Sequence, residues 1–135
     1  MDELRTAAAL GTGDARPHVV IAMNFAPPMF GQPSLLSQGQ VSILFHELGH
    51  ALHGMLTRVP FRDLSGTRVS RDFLELPSQF NERLATLPEV LGAMARHYRT
   101  GDALPQAFVD SLRATDRFMV GFRALGRLKS AALDL

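Results

Sequence analysis

The sequence predicts a mainly α-helical fold: a short strand, then a helix carrying an H-E-x-x-H pattern, then a following helix that carries glutamates. Three observations lead there. Apolar residues recur at helical spacing from Val41 to Leu56. A β-branched apolar run, His18-Val19-Val20-Ile21-Ala22-Met23, precedes them. Prolines and glycines then cut the remaining chain into segments of helical length.

The elements follow in order. Residues 1–16 form a short N-terminal segment of small and polar residues, with Gly11 and Gly13. The strand spans His18–Met23, bounded by Pro17 and by Asn24 with Pro27-Pro28. A single strand leaves its backbone hydrogen bonds unmet, so its partners are expected from another part of a larger protein. Residues 24–36 hold three prolines and a glycine and read as a loop. A helix should begin at Ser37, where Gln40 three residues on completes a capping-box pattern. Val41, Leu44, Phe45, Leu48, Leu52, Met55 and Leu56 give it an apolar stripe, and Pro60 stops it. After a loop over 58–70 containing Ser65-Gly66-Thr67, a second helix is expected from about Arg71 to Ala85, with Ser70 as candidate N-cap. Pro77 should kink its first turns or mark a later start. A third helix is expected from Pro88 to about Arg99, ended by Gly101. A fourth is expected from near Pro105 to about residue 130, with Phe108, Leu112, Thr115, Met119, Phe122 and Leu125 as its buried stripe. Arg113, Arg117, Arg123, Arg127 and Lys129 read as its solvated face.

Composition narrows the function classes. A chain of 135 residues, 46% hydrophobic and 20% charged, is that of one globular domain with a core. A net charge of +1 leaves no electrostatic footprint for nucleic acid or an anionic membrane. With no cysteine, disulfides and thiolate metal sites are excluded. Met1–Arg5 lacks the basic-then-apolar pattern of a signal peptide, and no apolar run approaches the roughly 20 residues of a membrane span. The expectation is a cytoplasmic monomer.

The chemistry concentrates at residues 45–53. His46, Glu47 and His50 make the H-E-x-x-H pattern. On a helix, residues four apart share a face, so two imidazoles can bind one Zn²⁺. The glutamate beside the first histidine can take a proton from the attacking water. A third histidine ten residues after His46 would complete one known ligand pattern, but that position is Leu56. The alternative third ligand is a glutamate on the following helix, where Glu75 and Glu82 are both candidates. His53 lies about 10 Å along the helix axis from His46 and cannot share one ion with both other histidines. It reads as a packed residue or one beside the site.

These residues carry a resemblance. His46-Glu47-Leu48-Gly49-His50-Ala51-Leu52-His53-Gly54, then Leu64-Ser65-Gly66-Thr67, then Arg71-Asp72-Phe73-Leu74-Glu75-Leu76-Pro77-Ser78-Gln79 resemble the thimet oligopeptidase family of zinc peptidases, family M3. The strand ending in Asn24-Phe25 and the run Ala95-Arg96-His97-Tyr98-Arg99-Thr100-Gly101 are similar to that family too. The likeness covers about residue 17 to the end, and its combined motifs are specific. Within the family it resembles bacterial peptidyl-dipeptidase and oligopeptidase A.

The resemblance implies a zincin-like (gluzincin) catalytic core that binds one Zn²⁺ per chain and hydrolyses peptide bonds in short peptides. It implies His46, His50 and Glu75 as metal ligands and Glu47 as the catalytic residue, so it favours Glu75 over Glu82. Asp72, Gln79 and Glu82 are candidates to support the ligands. Family members are several times longer, so residues 17–135 are expected to be part of a metallopeptidase catalytic domain. In the family, substrate-binding tyrosines and a histidine that stabilises the transition state lie well beyond the position corresponding to Leu135, and losing one such donor costs about 10²–10³ in rate. The residues before the motif, Ser37-Gln38-Gly39-Gln40, also lack the acidic character common in the family. The resemblance therefore implies weak or no activity for this chain alone, and the alternative is a non-catalytic zinc-binding remnant. The strand at His18–Met23 could pair with an extended peptide or belong to a small sheet. Gly66 could shape the cleft wall or supply a turn with positive φ.

Overall fold

The computed structural model describes residues 2–5 and 17–133, so most of the expected N-terminal segment 1–16 lies outside the described residues. The chain divides into two compact units, residues 1–87 and 88–135.

In the first unit, β2 (His18–Val20) pairs antiparallel with β1 (Asp2–Arg5), with Asp2 opposite Val20 and Arg5 opposite His18. This corrects two expectations. The strand's partner lies inside this chain, and the strand ends at Val20 rather than Met23. The sequence of β1, Asp-Glu-Leu-Arg, carries no β-branched residue, which is why it was not legible as a strand.

Helix α1 spans Gln38–Leu56. Its start is the expected capping box: the Ser37 hydroxyl accepts from the Gln40 backbone N–H, and the Gln40 side chain accepts from the Ser37 N–H. A short 3₁₀ turn, Arg62–Leu64, leads into the Ser65-Gly66 corner. Both corner residues are buried. Gly66 has φ +59°, a conformation glycine adopts without strain, and its N–H donates to the Thr57 hydroxyl just past the end of α1. Helix α2 spans Arg71–Leu84 and runs through Pro77, so that proline does not mark a later start. The Asp72 carboxyl, in its first turn, is held below the usual carboxylate range. The Ser70 hydroxyl is the main cause, followed by the backbone N–H groups of Phe73 and Asp72. Asp72 thus serves the helix start.

The face by which α1 packs is not the expected leucine stripe. Its buried residues are Gly49, His50, Ala51 and Gly54, whereas Leu48, Leu52, Met55 and Leu56 are exposed. The contact on α2 is equally small and polar, with Ser78 fully buried and Asn81 nearly so. A Cβ on Gly49 would lie 2.5 Å from Ser78 Cα and 2.7 Å from the Pro77 carbonyl oxygen. The two helices are therefore close enough that only glycine fits at position 49. The Asn81 side-chain amide donates to the Phe45 carbonyl and joins the helices one residue before His46.

In the second unit, α3 spans Pro88–Met94 and ends earlier than expected. Residues 95–104 instead fold back on themselves. His97 N–H donates to the Asp102 carbonyl, Leu104 N–H to the Ala95 carbonyl, and Gly101 turns the chain at φ +76°. The long fourth helix is two helices, α4 (Gln106–Arg117) and α5 (Val120–Leu133). Met119, at φ +56°, breaks them, and the Arg123 guanidinium donates to the carbonyls of Asp116 and Phe118 at the end of α4. The expected buried stripe is also corrected. Phe108, Met119, Phe122 and Leu125 are exposed, and Val109 is the buried residue of α4. Among the described residues no helix is long and apolar enough to cross a membrane.

Candidate metal centre

The close α1–α2 contact sets the site. His46 and His50 lie one turn apart on α1, with ring centroids 4.9 Å apart and nearly perpendicular planes. Glu75 enters from α2. Its Oε2 lies 3.3 Å from Nε2 of His46 and 3.3 Å from Nε2 of His50. One donor atom from each of the three residues falls within 4.8 Å of the others. Among the described residues no other group of three or more such side chains meets that test.

The donor set fits zinc. Two imidazole nitrogens and a carboxylate oxygen are one of the three-ligand sets found at catalytic zinc sites. Ligands held tetrahedrally at about 2.0–2.1 Å from one ion sit about 3.3–3.4 Å apart, close to the nitrogen–oxygen spacings here. His50 is buried and His46 and Glu75 are half-buried, which leaves the cluster reachable from solvent.

The surroundings hold these groups. The Ser78 hydroxyl lies 2.9 Å from the Glu75 carbonyl and 3.0 Å from Glu75 Oε2, so one buried group braces the carboxylate from the next turn of α2. On the far side of the His46 ring, Nδ1 lies 3.5 Å from Glu82 Oε2. The two candidate glutamates therefore meet opposite nitrogens of His46, and of the two it is Glu75 that also reaches His50. His50 Nδ1 is buried without a hydrogen-bond partner among the described residues. His53 stands edge-on to Phe73 with centroids 5.8 Å apart, outside the cluster.

Sequence reasoning missed Gly49, Ser78 and Asn81. Two of them had a usable signal. Gly49 falls between the two histidines, and Ser78 falls three residues after Glu75, on one helix face. Removing either the Ser78 or the Glu82 contact should leave the fold but weaken the cluster's capacity to bind zinc. Ser78→Ala and Glu82→Gln are each expected to lower zinc affinity by about 10–100-fold, the range for groups that support a ligand. Competition with a chromophoric chelator reads this directly, and unchanged affinity in both variants would contradict the roles given to these side chains.

Glu47 is half-buried on α1 and faces a groove of about 240 Å³ shared with residues 22–25, Gln40 and Ile43. A larger recess of about 430 Å³, formed by the proline-rich loop Ala26–Leu35, contains none of these residues.

Comparison with known proteins gives a consistent match. A family model described as "Peptidase family M3" matches residues 4–135. The chain is 41% identical over 119 residues to "Dipeptidyl carboxypeptidase" of Escherichia coli (strain K12), covering 88% of this chain and 18% of that protein. It is 36% identical over 118 residues to "Mitochondrial intermediate peptidase 2" of Cryptococcus neoformans var. neoformans serotype D (strain JEC21), covering 87% of this chain and 14% of that protein. With "Mitochondrial intermediate peptidase" of Neurospora crassa it shares 43% identity over 103 residues, 76% of this chain and 13% of that protein. The chain thus spans less than a fifth of the length of these curated relatives.

Proposed function

Because this chain belongs to peptidase family M3, we propose that residues 17–135 are part of the catalytic domain of a zinc-dependent peptidase that hydrolyses peptide bonds in short peptides. The observation that supports this most is the single carboxylate oxygen of Glu75 placed 3.3 Å from Nε2 of both His46 and His50. That arrangement would hold one zinc ion per chain by His46, His50 and Glu75. When bound, zinc would polarise the scissile carbonyl and make water a nucleophile near neutral pH.

The chain's own residues then have separable roles. His46 and His50 would each present Nε2, and Glu82 would accept from His46 Nδ1–H and fix the ring's orientation. Ser78 would hold the Glu75 carboxylate in place. Glu47, next to His46, would accept the proton of the attacking water and later deliver it to the leaving amine. Its solvent-reachable position beside the groove suits that role. The proposed protein acts as a monomer in the cytoplasm, with peptides as its partners.

Glu47→Gln separates chemistry from metal binding. Whatever hydrolysis of a quenched fluorescent peptide the wild-type chain shows, expected to be weak for this chain alone, should disappear in the variant, while zinc content stays at one per chain. If the wild-type chain binds zinc but its peptide turnover matches that of Glu47→Gln, the non-catalytic remnant is the right description.

A further inference from the structure

Asn81 is buried on α2, 8% exposed, and its side-chain amide donates to the Phe45 carbonyl of α1. Inside an α-helix that carbonyl also accepts the N–H four residues on, from Gly49. It therefore needs no second donor for its own sake, and the bond from Asn81 serves the contact between the helices.

Asn81 lies on the face of α2 that meets the metal cluster. Glu75, Ser78 and Asn81 follow one another at three-residue spacing. Glu75 reaches His46 and His50, Ser78 packs on Gly49, and Asn81 reaches Phe45. Asn81 is thus tied to the residue before His46, and its own chain neighbour, Glu82, lies 3.5 Å from His46 Nδ1.

His46 and His50 share α1, so their spacing is set within one helix. Glu75 comes from the other helix, and its distance to both rings depends on how α2 is seated along α1. The close packing at Gly49 sets how near the helices come, but burial is non-directional. A hydrogen bond is directional and weakens steeply below about 120°. The Asn81–Phe45 bond therefore resists sliding and rotation of α2 where packing does not.

We propose that Asn81 is a positioning residue for zinc: its bond to Phe45 sets the register of α2 on α1 and so brings the Glu75 carboxylate to both histidines. The proposal rests on the zinc reading of the cluster.

The test measures zinc affinity of the full chain by chelator competition, with a weaker chelator where affinity is low. Asn81→Ala removes the amide, keeps a good helix former and leaves the Phe45 carbonyl its Gly49 partner. It should lower affinity about tenfold, the lower end for groups that support a ligand. In a Glu75→Gln chain the same change should cost about threefold or less, because the ligand it positions is already lost. Equal losses in the two chains would mean a general loosening of the fold and would overturn the proposal. Asn81→Asp gives a second, opposed reading at pH 8, where a carboxyl has no proton to donate. It keeps the side chain's size and adds a negative charge near the cluster, which by charge alone would tighten zinc binding. A lower affinity is expected, since the donor to Phe45 is gone, and a higher one overturns the register role. A wild-type chain that binds zinc with the same affinity as Asn81→Ala overturns the proposal alone. A folded wild-type chain that binds no zinc overturns the zinc reading and the proposal together.

Discussion

Glu75→Gln is expected to lower zinc affinity by more than about a hundredfold, beyond the 10–100-fold typical of a group that only supports a ligand. Glu75 Oε2 is the atom that meets both histidine Nε2 atoms, each at 3.3 Å. Glutamine keeps the side chain's size but loses the negative charge, and it offers a neutral carbonyl or an amide that cannot ligate. The Ser78 brace would remain, because its hydroxyl also contacts the Glu75 backbone carbonyl, so α2 should stay folded. The matching change Glu82→Gln should have a smaller effect, since Glu82 faces the opposite nitrogen of His46. Equal losses in the two variants would mean that the roles of the two glutamates are not divided in this way. Chelator competition on both, run side by side, decides it.

Gly49→Ala should destabilise the first unit by about 2 kcal/mol, although alanine is the better helix former. In an unpacked helix the substitution gains roughly 1 kcal/mol. Here the added Cβ would lie 2.5 Å from Ser78 Cα and 2.7 Å from the Pro77 carbonyl oxygen. Both neighbours are backbone atoms, which cannot swing aside, so α1 and α2 must separate. Overpacking of this kind costs about 1–3 kcal/mol and occasionally more. Separation would also draw Glu75 away from the histidines, so zinc affinity should fall with stability. Gly39→Ala provides the contrast. It lies in the first turn of the same helix with nothing within 4 Å of its would-be Cβ. It should stabilise by about 0.5–1 kcal/mol. Urea unfolding of the two variants measures both signs, and a stabilised Gly49→Ala would show that the helices are not in close contact at this point.

These effects also explain how much could be read from the residues alone. The start of α1 was legible because a capping box is a local device: Ser37 and Gln40 satisfy each other three residues apart. The two histidines were legible because a helix fixes what four-residue spacing means. The third ligand was not settled by spacing, since Glu75 and Glu82 lie two turns apart and both come near His46 in space. The resemblance favoured Glu75, and it is Glu75 that the fold brings to both rings. The packing face of α1 was misjudged because hydrophobic periodicity assumes that large residues are buried. Here glycine, alanine and serine let two backbones meet, and Leu48, Leu52 and Leu56 are left exposed. The breaks after Met94 and at Met119 were missed for a related reason. Each depends on a turn held by specific hydrogen bonds, from Asp102 and Gly101 in one case and from Arg123 in the other. Apolar spacing carries no trace of those bonds. The exposed Phe108 and Phe122 kept a helical period without any described partner to cover them.

The measurement that bears most directly on the central claim is the zinc content of the purified chain, set beside that of His50→Ala. His50 is the buried member of the cluster, and its Nε2 lies 3.3 Å from Glu75 Oε2. One zinc per wild-type chain, and none retained by His50→Ala after dialysis, is the expected result. A folded wild-type chain without zinc, or a His50→Ala chain that keeps a full equivalent, would contradict the assignment of His46, His50 and Glu75 as a zinc site.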